Sequence, residues 1–277
     1  MKLTTLVEDT CYQEGLSEEH GLSFYIETKT HKLLFDTGAS DLFIQNARKL
    51  SVDLEAVDTV ILSHGHYDHG GGLAAFLELN HTARVYARTC AFDTHIHEIQ
   101  GEQGARIKPI GISEDLINHP QVVLTSGDLR IDDELFLFTN VKGRALWPQT
   151  NLTLRKVTDG SMQQDDFSHE QNLVISQNEI QCLISGCSHC GVINILERYQ
   201  ELFHSAPDVY IGGFHLMKKS SYTQEEQNCI KDTASRLKLL DTMFYTCHCT
   251  DVKAYEMLQD VMEANLGSLS TGECLEI

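Results

Sequence analysis

Proline and positive charge are scarce in this chain. Its 277 residues include four prolines, and 21 lysines and arginines stand against 40 aspartates and glutamates. Few prolines and an apolar share of 42% fit a compact globular protein with a sizeable core. A formal charge of −19 argues against nucleic acid as the main partner, because a phosphate backbone is met by a basic stripe. Bound divalent cations would offset part of that charge. No apolar run approaches the roughly 18 residues of a membrane span. The N-terminus, Met1 to Asp9, lacks a signal-peptide core and a small-residue cleavage site, and reads as a first strand. The expectation is a cytoplasmic protein with neither a membrane nor a nucleic-acid partner. Nothing in the pattern fixes an oligomeric state.

Long linkers, low-complexity tracts and strong internal repeats are also missing, so 1–277 is expected to be a single domain. Cysteine is plentiful: nine residues, an odd number with no secretion signal, which makes a disulfide framework a poor reading. Five of them fall in two tight groups, Cys182, Cys187 and Cys190, then Cys247 and Cys249, and each group contains a histidine.

Strand-like runs occur at 3–7, 23–27, 32–35, 57–62, 84–87, 121–125, 134–139, 173–176, 180–185, 209–211 and 242–245. Residues 28–31 suggest one hairpin turn, and Gln177-Asn178-Glu179 another. Helical periodicity covers 41–50, 73–79, 194–203, 224–239 and 252–262, and Thr223 with Glu226 forms a capping-box signal. The segments 1–36 and 121–185 are nearly all strand. This suits two sheets packed face to face with helices outside rather than regular βα alternation. The stretch 90–120 has poor periodicity and reads as a loop or helical insert, a lid around 88–120 holding His95, His97 and His119.

The densest chemistry is Ser63-His64-Gly65-His66-Tyr67-Asp68-His69-Gly70-Gly71-Gly72, placed after the apolar run 57–62. Three imidazoles and a carboxylate within six residues are ligands for zinc, manganese or iron. Four donors are too many for one zinc that keeps an open position. They divide into His64 with His66 for one ion and Asp68 with His69 for a neighbour, the two ions roughly 3.5–4 Å apart and able to share a hydroxide. Other polar groups also follow apolar runs: Asp36 in Phe35-Asp36-Thr37-Gly38, Cys187 and His189 in Gly186-Cys187-Ser188-His189, His215 in Gly212-Gly213-Phe214-His215, and His248 in Cys247-His248. Ligands at several strand ends are how a rigid scaffold assembles a site.

The HxHxDH pattern after a strand, the upstream FDTG and the later histidines resemble the metallo-β-lactamase superfamily over nearly the whole chain. The strings HGHYDHGGGL, SGCSHCGVINI, GGFHL and CHCT resemble a narrower group, labelled 7,8-dihydropterin-6-methyl-4-(β-D-ribofuranosyl)aminobenzene-5′-phosphate synthase. The resemblance implies an α+β fold, a four-layer αββα sandwich with a metal site at one edge of the paired sheets. It also implies a third histidine ligand, best placed at His189 with His169 as competitor, and a last one at His248. Where the superfamily has a bridging aspartate this chain has Cys187, which either binds as thiolate or packs as an uncoordinated thiol. Asp36 is suited to accept the free N–H of a ligand imidazole. His215, outside the usual ligand set, is expected to touch substrate or move a proton.

The chemistry implied is metal-dependent hydrolysis: one or two zinc ions (or manganese or iron) and a metal-bound hydroxide, acting on a small-molecule ester or phosphoester, phosphorylated or pterin-related. Asp68 would orient the hydroxide or hold the second ion, and His215 would serve the leaving group. Two alternatives stand beside it. One is a non-catalytic metal or ligand sensor, motivated by the absent bridging carboxylate and the cysteine-rich rim. The other is a pterin-pathway synthase, motivated by the resemblance alone. Cys187, Cys190, Cys247 and Cys249 have a spacing that permits a separate zinc site, though His189 and His248 interrupt it. Arg88 and Arg106 are candidate contacts to a substrate phosphate, against simple surface solvation.

Overall fold

The computed structural model describes residues 1–101, 104–158 and 160–277. Two seven-stranded sheets lie face to face. The first runs Cys274–Glu276, Lys2–Val7, Ser23–Glu27, Lys32–Phe35, Thr59–Ile61, Arg84–Arg88, Val122–Thr125. The second runs Leu266–Ser268, Met243–Thr246, Val209–Ile211, Ile180–Ile184, Asn172–Gln177, Leu135–Phe138, Leu129–Arg130. Each sheet joins a run of three antiparallel pairings to a run of three parallel ones. This repeat of topology has no counterpart in a sequence repeat, because it is carried by pairing direction and not by residue identity.

Strand alternation builds the layers. Along Ile180–Ile184, Cys182 and Ile184 turn towards the first sheet with Phe35 and Ile61, while Leu183 turns outward. Tyr199 and Leu258, from helices Val192–Phe203 and Val252–Met262, cover that outer face. On the far side Leu34 and Val60 pack under Phe43 and Phe76, from helices Leu42–Lys49 and Leu73–Leu79. The result is the αββα sandwich, buried on both faces of each sheet. The helix Gln224–Leu237 opens with the expected capping box between Thr223 and Glu226, a device worth about 1 kcal/mol. The Asn172–Gln177 and Ile180–Ile184 hairpin turns through Asn178 and Glu179, both at positive φ, as a two-residue turn between right-twisted strands requires.

The stretch 90–120 departs from the loop or helical reading. Strands Thr94–Gly101 and Gly104–Pro109 pair with each other, and the first also pairs with Leu154–Thr158, which pairs with Ser161–Gln164. This third sheet therefore draws on two distant segments. Its outer strand is exposed throughout, so it lacks the apolar alternation that marks a half-buried strand. Positions 102 and 103 of the expected lid lie outside the described residues. No helix among the described residues is long and apolar enough to cross a membrane.

Candidate metal centre

The loops picked out by sequence leave the C-terminal ends of strands that share parallel pairings. Asp36 follows Lys32–Phe35 and the histidine motif follows Thr59–Ile61. Cys187 and His189 follow Ile180–Ile184, His215 follows Val209–Ile211, and His248 follows Met243–Thr246. Parallel neighbours carry those ends to one edge, and the facing sheets bring both sets together, as ligand sites in open α/β sheets are formed. Close approach of backbone makes two glycines obligatory. A Cβ on Gly65 would sit 2.1 Å from the Ala91 carbonyl oxygen, and one on Gly186 would sit 2.3 Å from Ser63 Oγ.

His64, His66 and His189 are buried, with donor atoms within 4.8 Å of one another. The hydrogen bonds assign their protons. Asn151 Nδ2 donates to the His189 carbonyl at 2.8 Å, which turns Asn151 Oδ1 towards His189 Nδ1 at 2.9 Å. An amide oxygen only accepts, so His189 carries its proton on Nδ1. Ser63 Oγ donates to Asp36 Oδ2 at 2.6 Å and therefore accepts from His64 Nδ1 at 2.9 Å. Both Nε2 atoms are left with lone pairs, and they lie 3.2 Å apart. Burial, reinforced by the neighbouring imidazoles, holds the pKa values of His64 and His189 well below the ordinary histidine value. Burial does the same for His66, whose Nε2 has no hydrogen-bond partner. Neutral imidazoles with converging lone pairs, closed off from solvent, are what a transition-metal cation requires.

A second group adjoins the first. Asp36, at φ 59°, accepts from His69 Nδ1 at 2.6 Å and from the Ser63 N–H at 2.7 Å. Asp9 accepts from His248 Nδ1 at 2.5 Å. His69 Nε2 and His248 Nε2 then face each other at 3.2 Å. Asp68 Oδ2 lies 3.6 Å from His248 Nε2 and 4.0 Å from His69 Nε2. Burial opposes charge on His248, but Asp9 and Asp68 outweigh it and raise its pKa well above the ordinary value. For Asp68, burial is likewise outweighed by His248 and His69, and the carboxyl is held far down. The space between these groups therefore calls for positive charge, supplied by a proton on His248 or by a metal cation.

Cys187 sits between the two groups. Its Sγ is 3.1 Å from His69 Nε2, and its donor atom clusters separately with His64 and His69, with His248 and Cys249, and with His189 and His215. Burial and the adjacent Cys249 push its thiol pKa up, so it stays protonated unless a cation displaces the proton. Of the suggested four-cysteine site, Cys249 stays beside Cys187 while Cys190 and Cys247 diverge. Cys190 packs in the outer core, with Sγ on the Phe167 carbonyl at 3.8 Å, and Cys247 packs between the sheets. His215, at φ 50°, lies with its ring centroid 4.1 Å from that of His189, and its Nδ1 is enclosed without a partner. Ser188 Oγ bonds the Gly213 carbonyl and the Tyr210 hydroxyl at 2.6 Å each and is a loop brace.

His169, the competitor of His189, braces the motif. Its Nδ1 accepts the Gly65 N–H at 2.9 Å, which commits its Nε2–H to Asp165 at 3.3 Å. Donors of His66, His95, Asp165 and His169 also lie within 4.8 Å, but both nitrogens of His169 are engaged. Arg88 is engaged too, by the Ser168 and Thr125 carbonyls.

Sequence reasoning missed several supports. Asp9 holds His248 as Asp36 holds His69, and Glu8 accepts the His248 N–H at 2.5 Å. Their signal was available: two acids directly after the predicted strand 3–7. His20, half exposed, links Asp9 Oδ2 at 2.7 Å to Asp68 Oδ2 at 3.4 Å, from a segment with no periodicity. Glu170 accepts the N–H groups of His189 and Cys190, at 2.6 and 3.0 Å. A cavity of about 520 Å³ opens beside His248, lined in part by Asp9, Met217, Asp251 and Tyr255.

Residues 16–140 match the metallo-beta-lactamase superfamily. Among curated proteins, a 7,8-dihydropterin-6-methyl-4-(beta-D-ribofuranosyl)-aminobenzene-5′-phosphate synthase from Methanocaldococcus jannaschii is 27% identical, across 100% of this chain and 96% of that protein. Among solved structures, the metallo-beta-lactamase fold protein YhfI from Bacillus subtilis shares the fold at 13% identity, a TM-score of 0.59 and 99% coverage of both chains. A metal-dependent hydrolase of the beta-lactamase superfamily is 31% identical, with a TM-score of 0.82, covering 100% of this chain and 99% of its own. That likeness runs the full length of both proteins and takes in every loop of the histidine-rich edge, so the chain belongs to the metallo-β-lactamase superfamily.

Proposed function

We propose that the protein is a metal-dependent hydrolase of small-molecule esters or phosphoesters, with two cation positions. His64, His66 and His189 hold one, and Asp68, His69 and His248 hold the other, with Cys187 between them. The observation that carries this reading is the double opposition of imidazole Nε2 atoms, His64 against His189 and His69 against His248, each 3.2 Å apart and buried. Bound there, divalent cations supply an acidified water and an electrophile for the scissile group. Zinc suits the nitrogen- and sulfur-rich donor set best.

The chain's own groups have separable tasks. Asp36, Asp9 and Asn151 fix the tautomers of His69, His248 and His189, so that each presents Nε2. The Asp68 carboxylate, held ionised, accepts a hydrogen bond from the attacking water and orients it. His215 offers its partnerless Nδ1 to the leaving-group oxygen. The 520 Å³ cavity suits a small molecule, and the acidic surface disfavours nucleic acid.

Full-length similarity to the pterin-related synthase supports a second reading, bond formation on a phosphorylated aromatic substrate. Elemental analysis of protein purified without added metal, paired with a panel of carboxylic esters, lactones and phosphate mono- and diesters, separates the two. Bound transition metal with turnover lost in His66→Ala supports the hydrolase. Full metal loading with no hydrolysis across the panel favours the synthase.

A further inference from the structure

Five histidines form the proposed centre, and four of them have a group that fixes the ring from behind: Ser63 for His64, Asp36 for His69, Asn151 for His189 and Asp9 for His248. His66 is the fifth. Its Nε2 is enclosed and has no hydrogen-bond partner among the described residues. A buried polar atom in that state is costly and calls for a partner. One lies close by. Ring nitrogens of His66, His95 and His169 and a carboxylate oxygen of Asp165 lie within 4.8 Å of one another, and all four side chains are buried. The His66 ring centroid is 5.2 Å from that of His169 and 5.6 Å from that of His95. Asp165 Oδ2 accepts the His169 Nε2–H at 3.3 Å and faces His95 Nδ1 at 3.1 Å, while Oδ1 accepts the Phe167 N–H at 2.8 Å. His169 Nδ1 is taken by the Gly65 N–H. His95 faces oxygens with both nitrogens, Asp165 and the Cys90 carbonyl at 3.3 Å, and such oxygens only accept, so His95 serves as a donor. The Asp165 carboxylate is the group of the four left to accept from His66.

We propose that Asp165, steadied by His95 and His169, is a positioning residue for His66. Its carboxylate accepts from the His66 Nε2–H, across a gap that a small ring rotation or one enclosed water closes. The inference rests on the two-cation reading and deepens it, because it gives the third sheet a task at the first cation position. His95 lies in the strand Thr94–Gly101, and Asp165 follows Ser161–Gln164, with its N–H on the Leu154 carbonyl at 3.1 Å. The same insert grips the histidine motif through its backbone: the Ile110 carbonyl accepts the Tyr67 N–H at 2.8 Å, and the Ile110 N–H reaches the His95 carbonyl at 2.9 Å. A carboxylate behind a ligand imidazole fixes its tautomer and strengthens its donor atom.

The test is stepwise calorimetric titration of zinc into the full chain freed of metal by chelator. Asp165→Asn is expected to weaken the position held by His64, His66 and His189 about 10–100-fold and to leave the other unchanged. Asp166→Asn, which removes the same charge from the exposed neighbour that pairs with Lys156, alters neither position. A brace for the loop alone would not move a ring proton, so nitrogen-15 spectra of the histidines in zinc-loaded protein supply the second readout. The His66 Nε2–H signal, assigned by its loss in His66→Gln, shifts in Asp165→Asn and stays in place in Asp166→Asn. Should Asp165→Asn fail to fold, His95→Gln, which keeps the carboxylate but loosens its hold, is expected to give the same selective weakening. A loss at the first position of less than about threefold, or equal losses at both positions, overturns the assignment. Wild-type protein that takes up no zinc removes the cation reading and the assignment with it, whereas two-site binding indifferent to Asp165 removes the assignment alone.

Discussion

His64 Nε2 and His189 Nε2 lie 3.2 Å apart in a space closed to solvent, and the hydrogen bonds of Ser63 and Asn151 leave both without a proton. Two lone pairs so placed repel unless a cation lies between them. A metal cation bound there would therefore stabilise the fold as well as serve the chemistry. At free metal a hundredfold above Kd, binding contributes about 2.7 kcal/mol. Chelation is expected to lower the melting temperature by several degrees and re-addition to restore it. An unchanged melting curve in excess chelator would speak against cation binding at this edge.

In the proposed centre, the residues behind the ligands divide by cation position. Asp9 and Asp36 act on His248 and His69, and Asn151 acts on His189. Asp9→Asn is expected to weaken the second position about 10–100-fold while sparing the first, and Asn151→Ala to do the opposite. Stepwise metal titration followed by calorimetry distinguishes the two. Equal losses at both positions in either variant would contradict the division.

Cys187 contributes a thiolate only when a cation replaces its proton. Cobalt-loaded protein should then show a sulfur-to-cobalt charge-transfer band in the near ultraviolet, absent in Cys187→Ala. Cys187→Asp should lose the band but keep both cations, with preference moved from zinc towards manganese. A band that survives Cys187→Ala would move the sulfur ligand to Cys249.

Far from the centre, His31 joins the two sheets. Its Nδ1 lies 2.7 Å from Asp58 and its Nε2 lies 2.7 Å from Asp132. Burial lowers its pKa, but the two carboxylates prevail and raise it above the ordinary value. A raised folded-state pKa gives stabilisation that is complete below about 6.5, the unfolded value, and is lost as pH rises through the folded one. His31→Gln should therefore lower the melting temperature at pH 6 and leave it unchanged at pH 9. The effect will be small, because the bridge is partly solvated. A larger deficit at pH 9 than at pH 6 would reverse the sign.

Much of this edge was legible in the sequence because function there is compressed into loops after apolar runs. His64, His66, Asp68 and His69 announce themselves by density, and the core strands by period. The histidine-holding role expected of Asp36 matches its bond to His69. Asp9 was readable by the same logic but lay before any motif. The third sheet was illegible for a physical reason: its strands are mostly exposed and paired with distant segments, so neither alternation nor local turns mark them.

The central claim is two cation positions in one chain, and native mass spectrometry with elemental analysis tests it most directly. Wild-type protein saturated with zinc should carry two ions, and His189→Ala and His248→Ala should each carry one. A wild-type chain that binds a single ion, or variants that both retain two, would contradict the account.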